Sequence, residues 1–319
     1  MKKFLLDFIG FLAICIIVLI AVSFVTERGF KNGNYPRYSV LNGMENGTIN
    51  TDVLIQGNSH ARVQIDPFVI DSAIGSNSFN IGSDGICFDV QYARYLFYAR
   101  YNRKPKMIIQ VVDYVFFGIS SAQYNREQYL PFLSNPDLFQ MATRIDIPFY
   151  TKYFPFLKWQ GEPNAVVAGI RSSLGKPEAD DFKVNKGFGP NDYAWQTDVV
   201  ASFRQKYPRY IPDFDPFVFH QFETYLQSCK NDSIRMVMVL PPEYTPFQKT
   251  VLLREGYLDM LRELAAKYNA IFLDFSKDPL CNHKEYFYNY THLNREGARL
   301  FSERLAMQLK ALKTAGLLY

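Results

Sequence analysis

Asp52-Val53-Leu54-Ile55-Gln56-Gly57-Asn58-Ser59-His60 is the stretch on which the reading of the fold turns. A short apolar run without alternation, closed by glycine, has the form of a strand buried on both faces, as in a parallel sheet. Polar residues just after such a strand stand at the carboxyl end of an open sheet, where ligands and catalytic groups collect. A serine that opens the next helix keeps its own amide free, because the first helical N–H groups lack intrahelical partners. That amide can donate to an oxyanion. A polar turn with a helix cap has the same composition, so Gly57-Asn58-Ser59-His60 alone leaves both readings open.

Downstream the same rhythm continues. Pro67 to Ala73 suits a short helix, Ser78 to Ile81 a second strand, Gly82-Ser83-Asp84-Gly85 a turn, Phe88 to Tyr101 a helix and Met107 to Val112 a third strand. From about 114 to 211 the pattern breaks into aromatic and proline-rich segments, Ile147 to Trp159 among them, and reads as an insertion. It resumes with a helix near Asp215 to Cys229, a strand Arg235 to Leu240, a helix Lys249 to Tyr268, a strand Ala270 to Phe275 and a closing helix Arg295 to Leu312. Strands alternating with helices predict an α/β protein: three α/β/α layers around a mainly five-stranded parallel sheet.

Upstream, Phe8 to Val25 is an apolar run of eighteen residues, long enough to cross a hydrocarbon core of about 30 Å as a helix. Its length, and an exit through Val22-Ser23-Phe24-Val25-Thr26 rather than a small-x-small site, favour an uncleaved signal anchor over a cleaved signal peptide. The short tail with Lys2 and Lys3 points to a cytoplasmic N-terminus and an extracytoplasmic (periplasmic or cell-surface) ectodomain. Gly, Asn and Pro at short intervals between 28 and 51 read as a linker. The expected organisation is an anchor over 1–27, a linker over 28–51 and an α/β domain over 52–319.

Of 319 residues, 48% are hydrophobic and 21% charged, and the net charge is only +4. With no basic tract, nothing points to a nucleic-acid partner. Outside the apolar run stand three cysteines, Cys87, Cys229 and Cys281, an odd number that builds no disulfide framework.

Serine needs a base at neutral pH, and histidine suits that role. His292 lies in Asn289-Tyr290-Thr291-His292-Leu293-Asn294-Arg295-Glu296-Gly297, just before the last helix. A serine after the first strand and a histidine before the last helix converge over one end of such a sheet. His283 and His292 lack the cysteine or carboxylate spacing of a zinc site, so no metal is expected.

Three blocks in order, the Gly-x-Ser after strand one, Asn80-Ile81-Gly82-Ser83-Asp84-Gly85 after strand two and the His292-Leu293-Asn294 close, resemble the SGNH (GDSL-like) hydrolase superfamily. With its anchor, the chain looks similar to the membrane-tethered proteins that accompany acyltransferases in teichoic-acid alanylation and exopolysaccharide acetylation. The likeness covers strands one to three and the C-terminal third, not the insertion. It implies Ser59 as nucleophile, His292 as base, and the amides of Ser59 and Gly85 as the oxyanion hole, with Gly82 competing for Gly85's place. It implies a serine esterase or O-acyltransferase, needing no cofactor, that acts on a glycan or acylated envelope polymer. The rival is a degenerate, glycan-binding or scaffolding partner of a membrane acyltransferase.

Two positions depart from the family pattern. Asn289 stands where the family usually has Asp, and an amide holds an imidazole without stabilising its positive charge. Glu285, Asp274 and Asp278 are substitutes, and a Ser–His dyad is another solution. Asp113 stands where an oxyanion-donating Asn is usual, which suits a structural or substrate-binding role. His60 reads either as a substrate contact or as part of the helix start.

Overall fold

The computed structural model describes residues 1–32, 36–120, 126–176 and 185–319. They form two compact units, Met1–Asn46 with Ala122–Lys183, and Gly47–Ser121 with Val184–Tyr319.

In the first unit, α1 (Lys2–Asn32) is long and apolar enough to cross a membrane, with mean hydropathy 3.1 over its best window. α2 (Pro36–Glu45) follows. The stretch read as a linker is therefore helical at 28–32 and 36–45; Gly33 and Asn34 lie outside the described residues. Tertiary packing overrides the loop-like composition there. Phe30, Tyr38, Leu41 and Met44 are buried, the Phe30 and Tyr38 rings stack with centroids 4.1 Å apart, and Asn42 Nδ2 donates to Phe30 O at 2.8 Å.

The second unit holds β1 (Val53–Gln56), α3 (Ser59–Gln64), α4 (Pro67–Ile74), β2 (Ser78–Asn80), α5 (Phe88–Tyr101) and β3 (Met107–Val111). The intervening α6 (Pro136–Ala142), α7 (Tyr150–Tyr153) and α8 (Pro163–Ser173) belong to the first unit. The second unit resumes with α9 (Thr197–Lys206), α10 (Pro216–Asn231), β4 (Arg235–Leu240), α11 (Thr245–Gln248), α12 (Arg254–Tyr268), β5 (Ile271–Asp274) and α13 (Arg295–Thr314). The expected insertion is thus divided. Its middle packs with α1, whereas its ends are tied to the sheet unit, where Asp215 N donates to Phe117 O at 2.7 Å and Leu252 N to Tyr210 O at 2.7 Å.

All five strands are parallel, in the order β2-β1-β3-β4-β5. β1 and β3 are buried at every residue, which is why neither alternates. Val53, Ile55, Met107, Ile109, Val237 and Val239 face a core closed by Ile65, Ile70, Phe301 and Leu305 of the α3–α4 and α13 side. The opposite face carries α5 and α10, joined by aromatic contacts such as Phe88 against Phe222 at 4.8 Å. At roughly 25 cal/mol per Å² of apolar surface, this burial is the main favourable contribution to folding. The strand order changes direction between β1 and β3, and a crevice opens at that switch point, beyond the carboxyl ends of the strands.

Candidate active site

Ser59 is positioned by the turn out of β1. A Cβ on Gly57 would come within 2.8 Å of the Cβ atoms of both Ala61 and Val111, so only glycine lets the chain turn so close to β3. Asn58 caps α3, its Oδ1 accepting from His60 N at 3.0 Å. Its Nδ2 donates to Asp113 Oδ2 at 2.5 Å.

His292 comes from the other end of the chain, and Ser59 Oγ lies 2.7 Å from its Nε2. Two asparagines bracket the histidine. Asn294 caps α13 by accepting from Gly297 N at 3.0 Å. Asn289 Oδ1 accepts from Thr291 N at 3.0 Å and His292 N at 2.8 Å. These two backbone donors hold the amide oxygen, not its NH2, toward the ring, where Nδ1 is 3.1 Å away. Nδ1 therefore carries the proton and Nε2 offers its lone pair to Ser59, the arrangement a general base requires. Thr291 Oγ1, 2.9 Å from Nδ1, is a second neighbour that the sequence reading did not single out. Glu285 is 3.0 Å from His283 Nδ1, Asp278 pairs with Arg304, and Asp274 Oδ1 accepts from Ser276 N. The side chains at His292 Nδ1 are Asn289 and Thr291. Burial, and after it the neighbouring His60 and Arg62, hold the His292 imidazole well below the ordinary histidine value.

The two glycines differ. Gly82 N donates to Asn80 Oδ1 at 2.9 Å, while Asn80 Nδ2 ties the same loop to Ala61 O and Ile65 O of the α3 segment. Gly82 is thus spent on joining two loops. Gly85 lines the cavity that holds Ser59 and His292, and its N–H meets no acceptor among the described residues.

His60 is buried and lines the same cavity. Its Nδ1 lies 2.6 Å from Asp113 Oδ2 and its ring stands 4.4 Å from that of His292. Asp113 is the hub, also accepting Val115 N at 3.1 Å. Asp113 thereby links the loop after β3 to the start of α3, and through His60 to His292.

The cavity measures about 490 Å³, within the usual range for small-molecule sites. Phe203, Tyr207, Tyr210 and Phe247 contribute aromatic walls. Asp213 and Glu243 line it as well. Glu243 is 1% exposed, and its Oε2 has no hydrogen-bond partner among the described residues. Burial, then Asp113 and Asp274, hold its carboxyl well above the ordinary value. Burial also pushes the Cys87 thiol in this cavity up to about 12, which disqualifies it as a rival nucleophile. The aromatic walls, Asp213 and Glu243 were missed in the sequence. Glu243 carried a signal, standing three residues beyond β4 much as Ser59 stands beyond β1.

The chain matches no family model and no curated protein. What the molecule can do rests on its fold and on this site.

Proposed function

We propose that the protein is a membrane-anchored, SGNH-like serine esterase or O-acyltransferase acting on an extracytoplasmic glycan or envelope polymer. The observation that carries this reading is the 2.7 Å approach of Ser59 Oγ to a His292 Nε2 that bears a lone pair. Ser59 attacks the ester carbonyl as His292 takes its proton, and the N–H groups of Ser59 and Gly85 receive the oxyanion. The tetrahedral intermediate collapses, and the leaving alcohol departs with the proton from His292. Water then attacks the acyl-serine in hydrolysis, or a sugar hydroxyl does so in transfer, again with His292 as base.

The cavity lining supports an acyl donor without negative charge. No lysine or arginine lines it among the described residues, while Asp113, Asp213 and Glu243 do. An anionic acyl group would be desolvated there without a counter-charge. The apolar and aromatic lining suits an uncharged acyl ester.

A fluorophosphonate probe tests the chemistry. Labelling of the full-length chain that vanishes in Ser59→Ala is expected. Absence of labelling between pH 6 and 9 would instead favour the non-catalytic scaffold. Aryl acetate and aryl hemisuccinate then test the donor, and the acetate is expected to be cleaved about 10-fold faster or more, roughly 1.4 kcal/mol of barrier.

A further inference from the structure

α1 does not stop where its apolar run stops. The run closes at Val25, and the same helix continues to Asn32. Within the span the large side chains are exposed, Phe24 at 68%. Toward the C-terminal end a stripe of Ser23, Thr26, Gly29 and Phe30 is buried instead.

α8 covers that stripe at backbone distance. A Cβ on Gly29 would fall 1.8 Å from Gly169 O, and one on Gly169 would fall 2.7 Å from Thr26 O. Ser172 Oγ donates to Gly29 O at 2.8 Å. Small residues permit such close approach, as between helices in membranes. The register has a direction: Gly169 meets Thr26 and Gly29, whereas Ser172 and Ser173 meet Gly29. The two helices therefore run the same way.

That direction sets a height. At a rise of about 1.5 Å per residue, Pro163 lies roughly 9 Å back along α8 from Gly169, level with the last apolar turns of α1. Val167, on the same stretch, is 54% exposed. The chain leading into α8 is held nearby, with Lys158 Nζ 2.6 Å from Glu27 and the Trp159 ring 5.5 Å from that of Phe30. Just before it, Phe149, Tyr153 and Phe154 are 64%, 61% and 46% exposed. Lys152 Nζ lies 4.2 Å from the centre of the Phe139 ring and 5.7 Å from that of Tyr153. Exposed aromatics with a lysine among them, beside the exit of an apolar helix, have the composition of a membrane–water interface. The same side chains left in water would be an unusual solvent-facing patch.

We propose that this unit is a lipid-seated collar: the first turns of α8 and the Phe149–Phe154 segment lie in the headgroup layer of the bilayer that α1 crosses. The occupant of the apolar face is lipid, and the face is continuous with the span of α1. The collar fixes the depth and rotation of the anchor beyond what a single apolar helix does.

The test uses the full-length chain in nanodiscs of phosphatidylcholine and phosphatidylglycerol, in a Cys15→Ala, Cys87→Ser, Cys229→Ala, Cys281→Ala background. Single cysteines at Phe154→Cys, Val167→Cys and Phe24→Cys carry a bimane probe, read with nitroxide-bearing lipids and with aqueous iodide. Probes at 154 and 167 are expected to show at least half the nitroxide quenching of the probe at 24, with iodide access reduced about threefold from free dye. Full iodide access with background nitroxide quenching at 154 and 167, while 24 is quenched, overturns the collar and leaves the anchor standing. Absence of quenching at 24 as well overturns both.

Discussion

Asn289 Oδ1 and His292 Nδ1 stand 3.1 Å apart, and the same oxygen receives the N–H groups of Thr291 and His292. An amide flipped in this position would set its NH2 against two backbone donors. The backbone thus does for Asn289 what charge does for an aspartate: it selects the imidazole tautomer. It lends no charge with which to stabilise an imidazolium at His292.

Asn289→Asp isolates that missing term. In the serine-protease triad the reverse exchange loses about 10⁴ in turnover, in part through the wrong tautomer. Here the tautomer is already correct, so the expected gain in kcat/KM on an aryl acetate is smaller, about 10- to 100-fold. Asn289→Ala removes the acceptor shared by Thr291 N, Thr291 Oγ1, His292 N and His292 Nδ1, and is expected to lower the rate by about 100-fold or more, as for loss of a group that orients a general base. A gain near 10⁴ in Asn289→Asp would show that the amide does not hold the ring as described.

The pH dependence follows from the depressed His292 value. A general base must be neutral, and the free imidazole near about 6.5 is the reference. Because the folded value lies below that reference, the acid limb of kcat/KM is expected well under pH 6.5, with near-constant rates from pH 7 to 6. In Asn289→Asp the added carboxylate favours the imidazolium, so that limb is expected to move upward. For stability, the unfolded chain binds the proton first as pH falls below about 6.5. This group therefore lowers stability from there down to its folded value and has no effect above about 6.5.

Glu243 works in the opposite sense. Its folded carboxyl titrates well above the ordinary value, so its protonated form stabilises the fold fully below the unfolded pKa, and that contribution is lost as pH rises through the folded pKa. Glu243→Gln keeps the shape and removes the ionisation. Thermal unfolding between pH 5 and 9 is expected to show a flatter profile for the variant and a higher Tm at the alkaline end. Identical profiles would show that Glu243 does not titrate in this range.

The sheet was legible because its strands are short, apolar runs closed by polar or glycine residues; the expected Arg235 to Leu240 strand coincides with β4. Ser59 and His292 were legible for the same reason, since both follow from chain order once the sheet is parallel. Helices at 28–32 and 36–45 were not, because Gly29 and Asn42 have loop composition and act by contacts with residues distant in sequence or on another turn. The same limit hid the Asp113 hub. Its partners Asn58 and His60 are more than fifty residues away, and only the pairing of β1 with β3 brings them together.

Asp113 is expected to be a positioning residue. Asp113→Ala strands Asn58 Nδ2 and His60 Nδ1 as buried donors, at a cost of about 2–4 kcal/mol. Asp113→Asn retains one acceptor and is expected to lose less. If Asp113 acts through α3 and His60, probe labelling of Ser59 slows in Asp113→Asn even where calorimetry finds it fully folded at the assay temperature. Unchanged labelling would confine Asp113 to stability.

The packing of α8 on α1 makes the last prediction. Gly169 faces Thr26 so closely that an added Cβ would lie 2.7 Å from both its oxygen and its Cγ2, and backbone has no rotamer with which to yield. Gly169→Ala therefore forces the helices apart, against the small propensity gain alanine has inside a helix. Overpacking of this kind costs about 1–3 kcal/mol. Val167, two residues away and 54% exposed, meets no such wall, so Val167→Ala is the matched reference. Hydrogen exchange on the full-length chain in nanodiscs is expected to show α8 amides exchanging about 5- to 150-fold faster in Gly169→Ala, the factor that about 1–3 kcal/mol corresponds to. Those of α13, which packs on α4 in the other unit, are expected to keep their rates. Equal protection of α8 in both variants would mean that the two helices are not held at the distance their glycines allow.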